Sequence, residues 1–569
     1  MPPPEPLTRT PAPSLDFSRP GTPAADDFGD IYFSTDGGLD ETRAVFLTGC
    51  GLPDGWRDRD MFTIAELGFG SGLNFLATWQ AWLDSGARGT LHYISVEGFP
   101  FAKSDLERAL DHFPELADLS RRLIGGWPGP VRGIHRRHFG SVTLTLIHDA
   151  VASALASQRF HADAWFLDGF SPAKNPAMWS PDMMAEVARL SAPDARLATF
   201  TVAGAVRRAL TEAGFKVERV AGFGRKRHRL EARRTETPTP RGNRPAAPTI
   251  IGAGIAGASI AQAFLRRGIV PTVLFDPDHP AASANPAALI KPRLDLQDQP
   301  ASRFFLSSFL YAREAYKDAV LLEGITHRPK TDAEADRLQR IARQEPLGPG
   351  HLHWTGDSLD MPSALTIVPQ AAREAMLAGV TPRPGRIDDL SALSGPLILA
   401  SGYGVRSLLP DARFRFSRGQ LSWTQGTLDR PVTYGGYAVP LDEHVDMRVL
   451  IGASHERITD HSQAFAVRDE DDAANLAQAR SQGLDLGPSV QPLRTSVRVN
   501  TADTLPRLLC PDTEKAGENT KTDLWVLSGL GSRGFVFAPL LGEALVSAWL
   551  GEPSPLDAAV MDRLNRRPG

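Results

Sequence analysis

Two stretches of the 569-residue chain follow one plan: an apolar strand, a glycine-rich turn, a helix, and a second strand that ends in an acid. In the first, residues 62–65 run into Glu66-Leu67-Gly68-Phe69-Gly70-Ser71-Gly72. An apolar helix from Leu73 to Trp82 follows, then a strand over 91–97 closing on Glu97. In the second, Ile250-Ile251 runs into Gly252-Ala253-Gly254-Ile255-Ala256-Gly257. Its helix reaches about Arg267, and a strand ends at Asp276. Strands alternating with helices predict parallel, doubly wound sheets with ligands at the strands' carboxyl ends, here twice over. The fold class is α/β in both halves, as the length requires, since single cores rarely exceed roughly 250–300 residues.

Between the halves lies Thr235-Glu236-Thr237-Pro238-Thr239-Pro240-Arg241-Gly242-Asn243-Arg244-Pro245, without helical or strand periodicity. Proline holds itself and its predecessor extended, so residues 235–248 read as a semi-rigid linker. Domains are expected over 26–234 and 249–569. Eight prolines in the first 23 residues, among few large apolar side chains, predict a flexible arm over 1–25. The net charge of −4 creates no global pull toward nucleic acid or membrane. Two cysteines, Cys50 and Cys510, exclude a disulfide framework and fit a reducing cytosol. No uninterrupted apolar run reaches the ~18 residues of a membrane span. The proline-rich start lacks the basic and apolar regions of a secretory signal. A soluble cytoplasmic protein is expected, binding no metal and no membrane; its oligomeric state is not specified.

The two turns differ in chemistry. Gly252-x-Gly254-x-x-Gly257 with Asp276 downstream is the dinucleotide fingerprint in its strand–turn–helix setting. The glycines allow the tight turn, the pyrophosphate's approach and close helix packing, while Asp276 would accept from the adenosine ribose. FAD and NAD are not separated by it. An acid before G-x-G-x-G, as at Glu66, Gly68, Gly70 and Gly72, is the spacing of S-adenosylmethionine enzymes. Glu97 would hold the ribose hydroxyls, and Asp149, after the strand over 142–147, would meet the adenine amino group. Ala164-Trp165-Phe166-Leu167-Asp168-Gly169-Phe170-Ser171-Pro172 falls where a fourth strand ends and faces the methyl donor. Asp168 there would orient a target amine or take its proton, because a protonated amine has no lone pair for attack.

These residues resemble one family: the bifunctional tRNA 5-methylaminomethyl-2-thiouridine biosynthesis family. The resemblance runs from about Phe28 to Arg567. It includes Asp30-Ile31-Tyr32-Phe33-Ser34, the Glu66 to Phe75 block, and Trp165 through Pro176. It continues through Gly222-Phe223-Gly224-Arg225-Lys226-Arg227, the Gly252 turn, and Leu527-Ser528-Gly529-Leu530-Gly531-Ser532-Arg533-Gly534. It implies a Rossmann-like methyltransferase followed by an FAD-binding Rossmann domain with an inserted antiparallel substrate sheet, similar to glycine and D-amino-acid oxidases. The implied chemistry is removal of the carboxymethyl group of 5-carboxymethylaminomethyluridine at the tRNA wobble position by the FAD half. Methylation of the resulting amine by the other half follows. The sequence departs from the family at Ser283-Ala284-Asn285-Pro286, where a glycine is usual after the serine.

The resemblance also places Arg498 where related amine oxidases bind a substrate carboxylate, with Arg494 and Arg533 as alternates and Tyr437 beside them. Gly529, Gly531, Arg533 and Gly534 would meet the flavin, ahead of a helix from about Ala538 to Trp549. Such a helix start stabilises negative charge on reduced flavin. Residues 225–244 carry eight Lys or Arg against two acids, which fits tRNA phosphate contact or, equally, a solvated linker edge. Two other functions remain open: a fused oxidase and N-methyltransferase for a free small amine, and a tRNA-binding protein without activity.

Overall fold

The computed structural model describes residues 5–18, 23–27, 29–33, 37–224, 226–236, 245–279, 281–441, 448–511 and 524–568. The chain packs as two units: one of residues 8–243 with 551–558, the other of 244–550 with the residues up to 7 and those from 559 onward.

The first unit is an eight-stranded sheet in the spatial order Phe215–Ala221, His228–Arg234, Ser191–Thr199, Ala162–Leu167, Met61–Leu67, Thr90–Glu97, Val142–His148, Gly133–Phe139. Its five central strands are parallel; Gly133–Phe139 and the two strands at the other edge are antiparallel to their neighbours. Met61–Leu67 is enclosed nearly throughout, as a central parallel strand covered on both faces must be. The chain leaves it in one direction toward Thr90–Glu97 and returns on its other side as Ala162–Leu167. That reversal opens a crevice outside the strands' carboxyl ends, where the first glycine turn and Asp168 stand.

The second unit has two sheets. A six-stranded sheet runs Arg383–Pro384, Thr272–Phe275, Thr249–Ile251, Leu397–Leu399, Leu524–Ser528, Arg507–Leu509, parallel except for the last pair. A mostly antiparallel ten-stranded sheet is led by the long pair Arg415–Thr427 and Asp485–Asn500. The helix Gly534–Leu550 starts four residues before the expected Ala538 and is buried along most of its length. As the stretch Gly531–Leu550 it is long and apolar enough to cross a membrane, yet 72% of it lies inside the protein. Glu543 in its middle is fully enclosed and ion-paired to Arg267 at 2.6 Å, which marks a core helix.

Three expectations meet differences here. The proline-rich start, read as a flexible arm, is anchored at some of its described residues: Leu7 is fully enclosed and its amide donates to the Leu296 carbonyl. Thr10 is likewise enclosed and bonds the Pro130 carbonyl through amide and hydroxyl. Proline's fixed extended backbone suits such edge-on packing, which composition alone does not reveal. The basic strip is in part a sheet strand. His228–Arg234 pairs on both sides, burying Leu230 and Ala232, while Arg229 pairs with Glu231 at 2.6 Å. Arg225 and residues 237–244, including most of the linker, lie outside the described residues. Gly551–Ala558, expected in the second domain, belongs to the first unit: Pro553 accepts from the enclosed Arg136 at 2.6 Å.

Candidate active sites

In the first unit, Asn74 is the hinge of a polar network that the sequence reading passed over. Helix Leu73–Asp84 begins directly after the glycine turn, so its second residue points back over the strand ends. The Asn74 amide nitrogen donates to Glu66 Oε1 at 2.9 Å and to Asp168 Oδ2 at 2.7 Å. Its oxygen accepts from Thr42 Oγ1 at 2.8 Å, so both hydrogens and the carbonyl are used and the amide cannot flip. Ser95 completes the set by donating to Glu66 Oε2 at 2.7 Å. Glu66 is 1% exposed, and burial pushes its carboxyl up to about 8 against the opposing hydrogen bonds of Ser95 and Asn74. Enclosed and engaged at both oxygens, Glu66 reaches Asp168 through Asn74 and offers no face to a cofactor.

Asp168 itself is half-buried. Desolvation raises its carboxyl to about 6, opposed by the Asn74 hydrogen bond and the nearby Lys226 ammonium. Lys226 is fixed by Glu41 at 2.8 Å and lies over the Phe200 ring. A carboxylate titrating near 6 is ionised at neutral pH and a better proton acceptor than an exposed aspartate. Gly68 adopts φ 90°, and a Cβ there would stand 2.0 Å from the Asp168 carbonyl oxygen. This glycine therefore admits the Asp168 loop.

Glu97 accepts from the Gly70 amide and the Phe99 amide, each at 2.8 Å, and burial raises its pKa. Tyr32 lies over the turn: a Cβ on Gly70 would come within 3.0 Å of its ring, which packs edge-on against Phe101 and Phe170. Gly72 caps the helix in the left-handed region. Asp149 accepts from Ala150 N at 2.9 Å and from Ser153 Oγ at 2.8 Å, so it also begins the helix Val151–Ala156. Glycine turn, ribose-height acid, Asp149 and Asp168 all stand at the same carboxyl edge, a set that fits S-adenosylmethionine.

In the second unit, Gly252 and Gly257 serve packing, for a Cβ on Gly257 would stand 1.7 Å from the Gly252 carbonyl oxygen. At Gly254 the nearest atom to such a Cβ is Ser283 Oγ at 3.4 Å. Ser283 accepts from the helix-start amide of Ile255 at 3.1 Å, and Asn285 accepts from Arg494 Nη1 at 3.1 Å. The segment that departs from the family is thus anchored by its serine and asparagine. Asp276 ends its strand, holding the Asp278 amide and His279.

Arg498 sits in the long strand pair opposite Ser417, its Nη1 3.4 Å from the Ser454 carbonyl. Among the described residues no carboxylate lies within 4.0 Å of it, and burial lowers its pKa. Tyr437 is near, its hydroxyl pushed up to about 12 by burial against the opposing charges of Arg498 and Arg494. Arg494 is spent on Asn285 and the Ala281 carbonyl. Arg533 lies exposed in the turn Gly531–Arg533 between Gly529 and Gly534, and its side chain makes no hydrogen bond or ion pair among the described residues. Cations lacking anionic partners fit a ligand that brings anions, as FAD and a carboxylate substrate do.

The comparisons agree with this division. The S-adenosyl-L-methionine-dependent methyltransferase family matches residues 114–235, and the FAD dependent oxidoreductase family matches 249–548. Glycine oxidase from Geobacillus kaustophilus is 18% identical over 56% of this chain and 98% of its own, with a TM-score of 0.44. The tRNA 5-methylaminomethyl-2-thiouridine biosynthesis bifunctional protein of Caulobacter vibrioides is 40% identical, over 97% of this chain and 96% of its own. Its counterpart in Thiobacillus denitrificans is 34% identical over 98% of each chain. With both domains, both cofactors and nearly the whole length shared, the chain belongs to the bifunctional tRNA 5-methylaminomethyl-2-thiouridine biosynthesis family.

Proposed function

We propose that this enzyme carries out two successive steps on the wobble uridine of tRNA. Its oxidase half removes the carboxymethyl group of 5-carboxymethylaminomethyl-(2-thio)uridine, and its methyltransferase half methylates the exposed amine. The observation that carries this reading is the end-to-end similarity, across both domains, to relatives named for that modification. Bound flavin supplies hydride-accepting chemistry, and S-adenosylmethionine supplies the methyl group. Arg498 clamps the substrate carboxylate through a planar fork that lysine cannot reproduce. Asp168, held by Asn74, takes the proton of the amine that attacks the methyl group. Glu97 and Asp149 hold the ribose and adenine of the methyl donor, Asp276 the ribose of FAD, and Gly529, Gly531, Arg533 and Gly534 the flavin ring. The tRNA is met through exposed basic residues. A tRNA substrate and two unpaired cysteines support a cytoplasmic location.

The test is nucleoside analysis of tRNA from a strain lacking the gene, with purified enzyme added back. Carboxymethylaminomethyluridine should accumulate and be converted in two steps dependent on FAD and S-adenosylmethionine. Turnover of free amino acids without any need for tRNA would replace this reading with a small-amine oxidase fused to an N-methyltransferase.

A further inference from the structure

In the oxidase unit four polar side chains make one directed row of hydrogen bonds. Lys291 follows the strand Ala288–Ile290; its Nζ donates to Thr433 Oγ1 at 3.0 Å and lies 3.4 Å from His327 Nδ1 as a second, longer partner. Thr433 Oγ1 lies 2.7 Å from His327 Nδ1, and His327 Nε2 lies 3.2 Å from Glu334 Oε1. A carboxylate only accepts, so the network assigns the imidazole hydrogen to Nε2 and leaves Nδ1 as acceptor. The Thr433 hydroxyl then donates to Nδ1 and accepts from Lys291. Every bond points the same way, from Lys291 to Glu334.

The row also leads outward. Thr433 is 4% exposed, the His327 side chain 14% and the Glu334 side chain 26%. Next to Lys291 in the row, Thr433 is the register partner of Tyr437, which stands in the field of Arg498. The half-buried Lys291 stands in the field of Arg533, from the turn Gly531–Arg533. Desolvation first, then Arg533 and Arg337, hold its ammonium down to about 8 against the pull of Glu334. Among the described residues no carboxylate lies within 4.0 Å of Lys291. Glu334 is itself held by the Lys330 amide at 2.9 Å and by Arg337 at 3.9 Å.

The oxidase reaction has a proton to dispose of. Its substrate nitrogen is a secondary ammonium at neutral pH, and the lone pair must be free before hydride can leave the adjoining methylene. We propose that Lys291, Thr433, His327 and Glu334 form the proton exit of the oxidase half, Lys291 taking the proton from the substrate ammonium and the row delivering it to solvent. The inference rests on the oxidation proposed above. In the balanced sequence an N–H bond of the substrate breaks and one forms on Lys291. Hydride then passes from the methylene to the bound flavin, leaving a substrate iminium. Water adds, the C–N bond breaks, and glyoxylate and the primary ammonium leave. One proton exits through the row per turnover.

Two measurements on the FAD-loaded enzyme test this. Competitive acetylation with acetic anhydride across pH, read on the Lys291 peptide by mass spectrometry, should give a midpoint near 8, against about 10.4 for an ordinary lysine. Anaerobic flavin bleaching by carboxymethylaminomethyl-tRNA should fall about 10²-fold in Lys291→Met at neutral pH. It should recover as pH rises and the substrate amine loses its proton unaided. His327→Gln should show a loss of the same kind at normal flavin content, serving if Lys291→Met does not fold. An acetylation midpoint near 10, or bleaching with the wild-type rate and pH profile in both variants, overturns the proposal. If the wild-type flavin is not bleached by this tRNA, the proposed oxidation falls instead, and the acetylation midpoint still judges the relay.

Discussion

Around the first glycine turn of the first unit stand the acids Glu66, Glu97 and Asp168, all with carboxyls pushed up by burial. In the second unit the half-buried cations Arg494, Arg498 and Lys291 are all pushed down by burial. Both halves begin from the same strand–turn–helix plan, so the backbone does not set this contrast; the side chains at the strand ends do. Apart from Glu66, which is engaged at both oxygens, the acids suit the S-adenosylmethionine half and the cations suit the FAD half. A methyl donor carrying a sulfonium and an amine that must shed a proton call for carboxylates. A flavin that gains negative charge and a substrate that arrives with a carboxylate call for guanidinium and ammonium groups. The comparison teaches that the sign of the charge, more than the glycines, tells the two sites apart.

The hardest blow to this contrast is loss of Asp168, the acid proposed to take the proton of the attacking amine. Asp168→Asn keeps the shape and the Asn74 neighbour but cannot accept a proton. Methylation of aminomethyl-tRNA should drop about 10²–10⁴-fold, with flavin reduction unchanged. Assaying both half-reactions on one preparation checks it, and near wild-type methyl transfer would make Asp168 a loop residue only. Arg498→Lys is the matching blow to the cationic site. Losing a charge-assisted fork costs about 1.5–3 kcal/mol, roughly a 10- to 150-fold fall in oxidation. FAD content should hold, and methylation of tRNA already carrying the aminomethyl group should run normally. Unchanged oxidation would move the clamp to Arg533, because Arg494 is committed to Asn285 and Ala281.

Both glycine turns and the strand leading to Asp168 were legible in the sequence because they are local: strand periodicity and glycine spacing act over ten residues or fewer. What escaped it is long-range. Asn74 meets Asp168 across 94 residues, and Arg136 meets Pro553 across 417; spacing carries no trace of either. The strand His228–Arg234 was hidden by its arginines, which read as a charged edge although Leu230 and Ala232 alternate into the core. Lys291 escaped for a similar reason, since a lone lysine after a short apolar run signals nothing until Thr433 and His327 fold onto it.

A milder test varies only pH. Asp168 must be ionised to accept a proton, and its carboxyl titrates near 6; methylation should therefore fall about tenfold per unit below pH 6. Lys291 must be neutral to accept one, and it titrates near 8, so flavin reduction should begin to fall already below pH 8. The acid limbs of the two half-reactions should thus differ by about two units, in the order the opposite charges dictate. Coincident limbs would show that Asp168 and Lys291 do not set the two profiles.

The smallest effect on catalysis concerns whether the two regions are independent bodies at all. A fragment ending near Arg234 keeps every strand of the eight-stranded sheet and all the groups around Asp168. It lacks Gly551–Ala558, however, and with them two contacts of enclosed side chains: the Pro553 carbonyl that accepts from Arg136 at 2.6 Å and Glu552, 3.7 Å from His92. A lost hydrogen bond to a charged group costs about 1.5–3 kcal/mol. For a domain of this size each kcal/mol is worth about 2–4 °C of melting temperature. The fragment should therefore fold, bind S-adenosylmethionine and methylate aminomethyl-tRNA at close to the full-chain rate. It should melt some 3–12 °C below the methyltransferase transition of the intact protein. Calorimetry with and without S-adenosylmethionine on fragment and full chain measures the difference. Equal melting temperatures would show that the 551–558 segment only lies against the sheet, whereas failure to fold would make it an obligatory part of the first unit and tie the two opposite-charged sites to a single folding event.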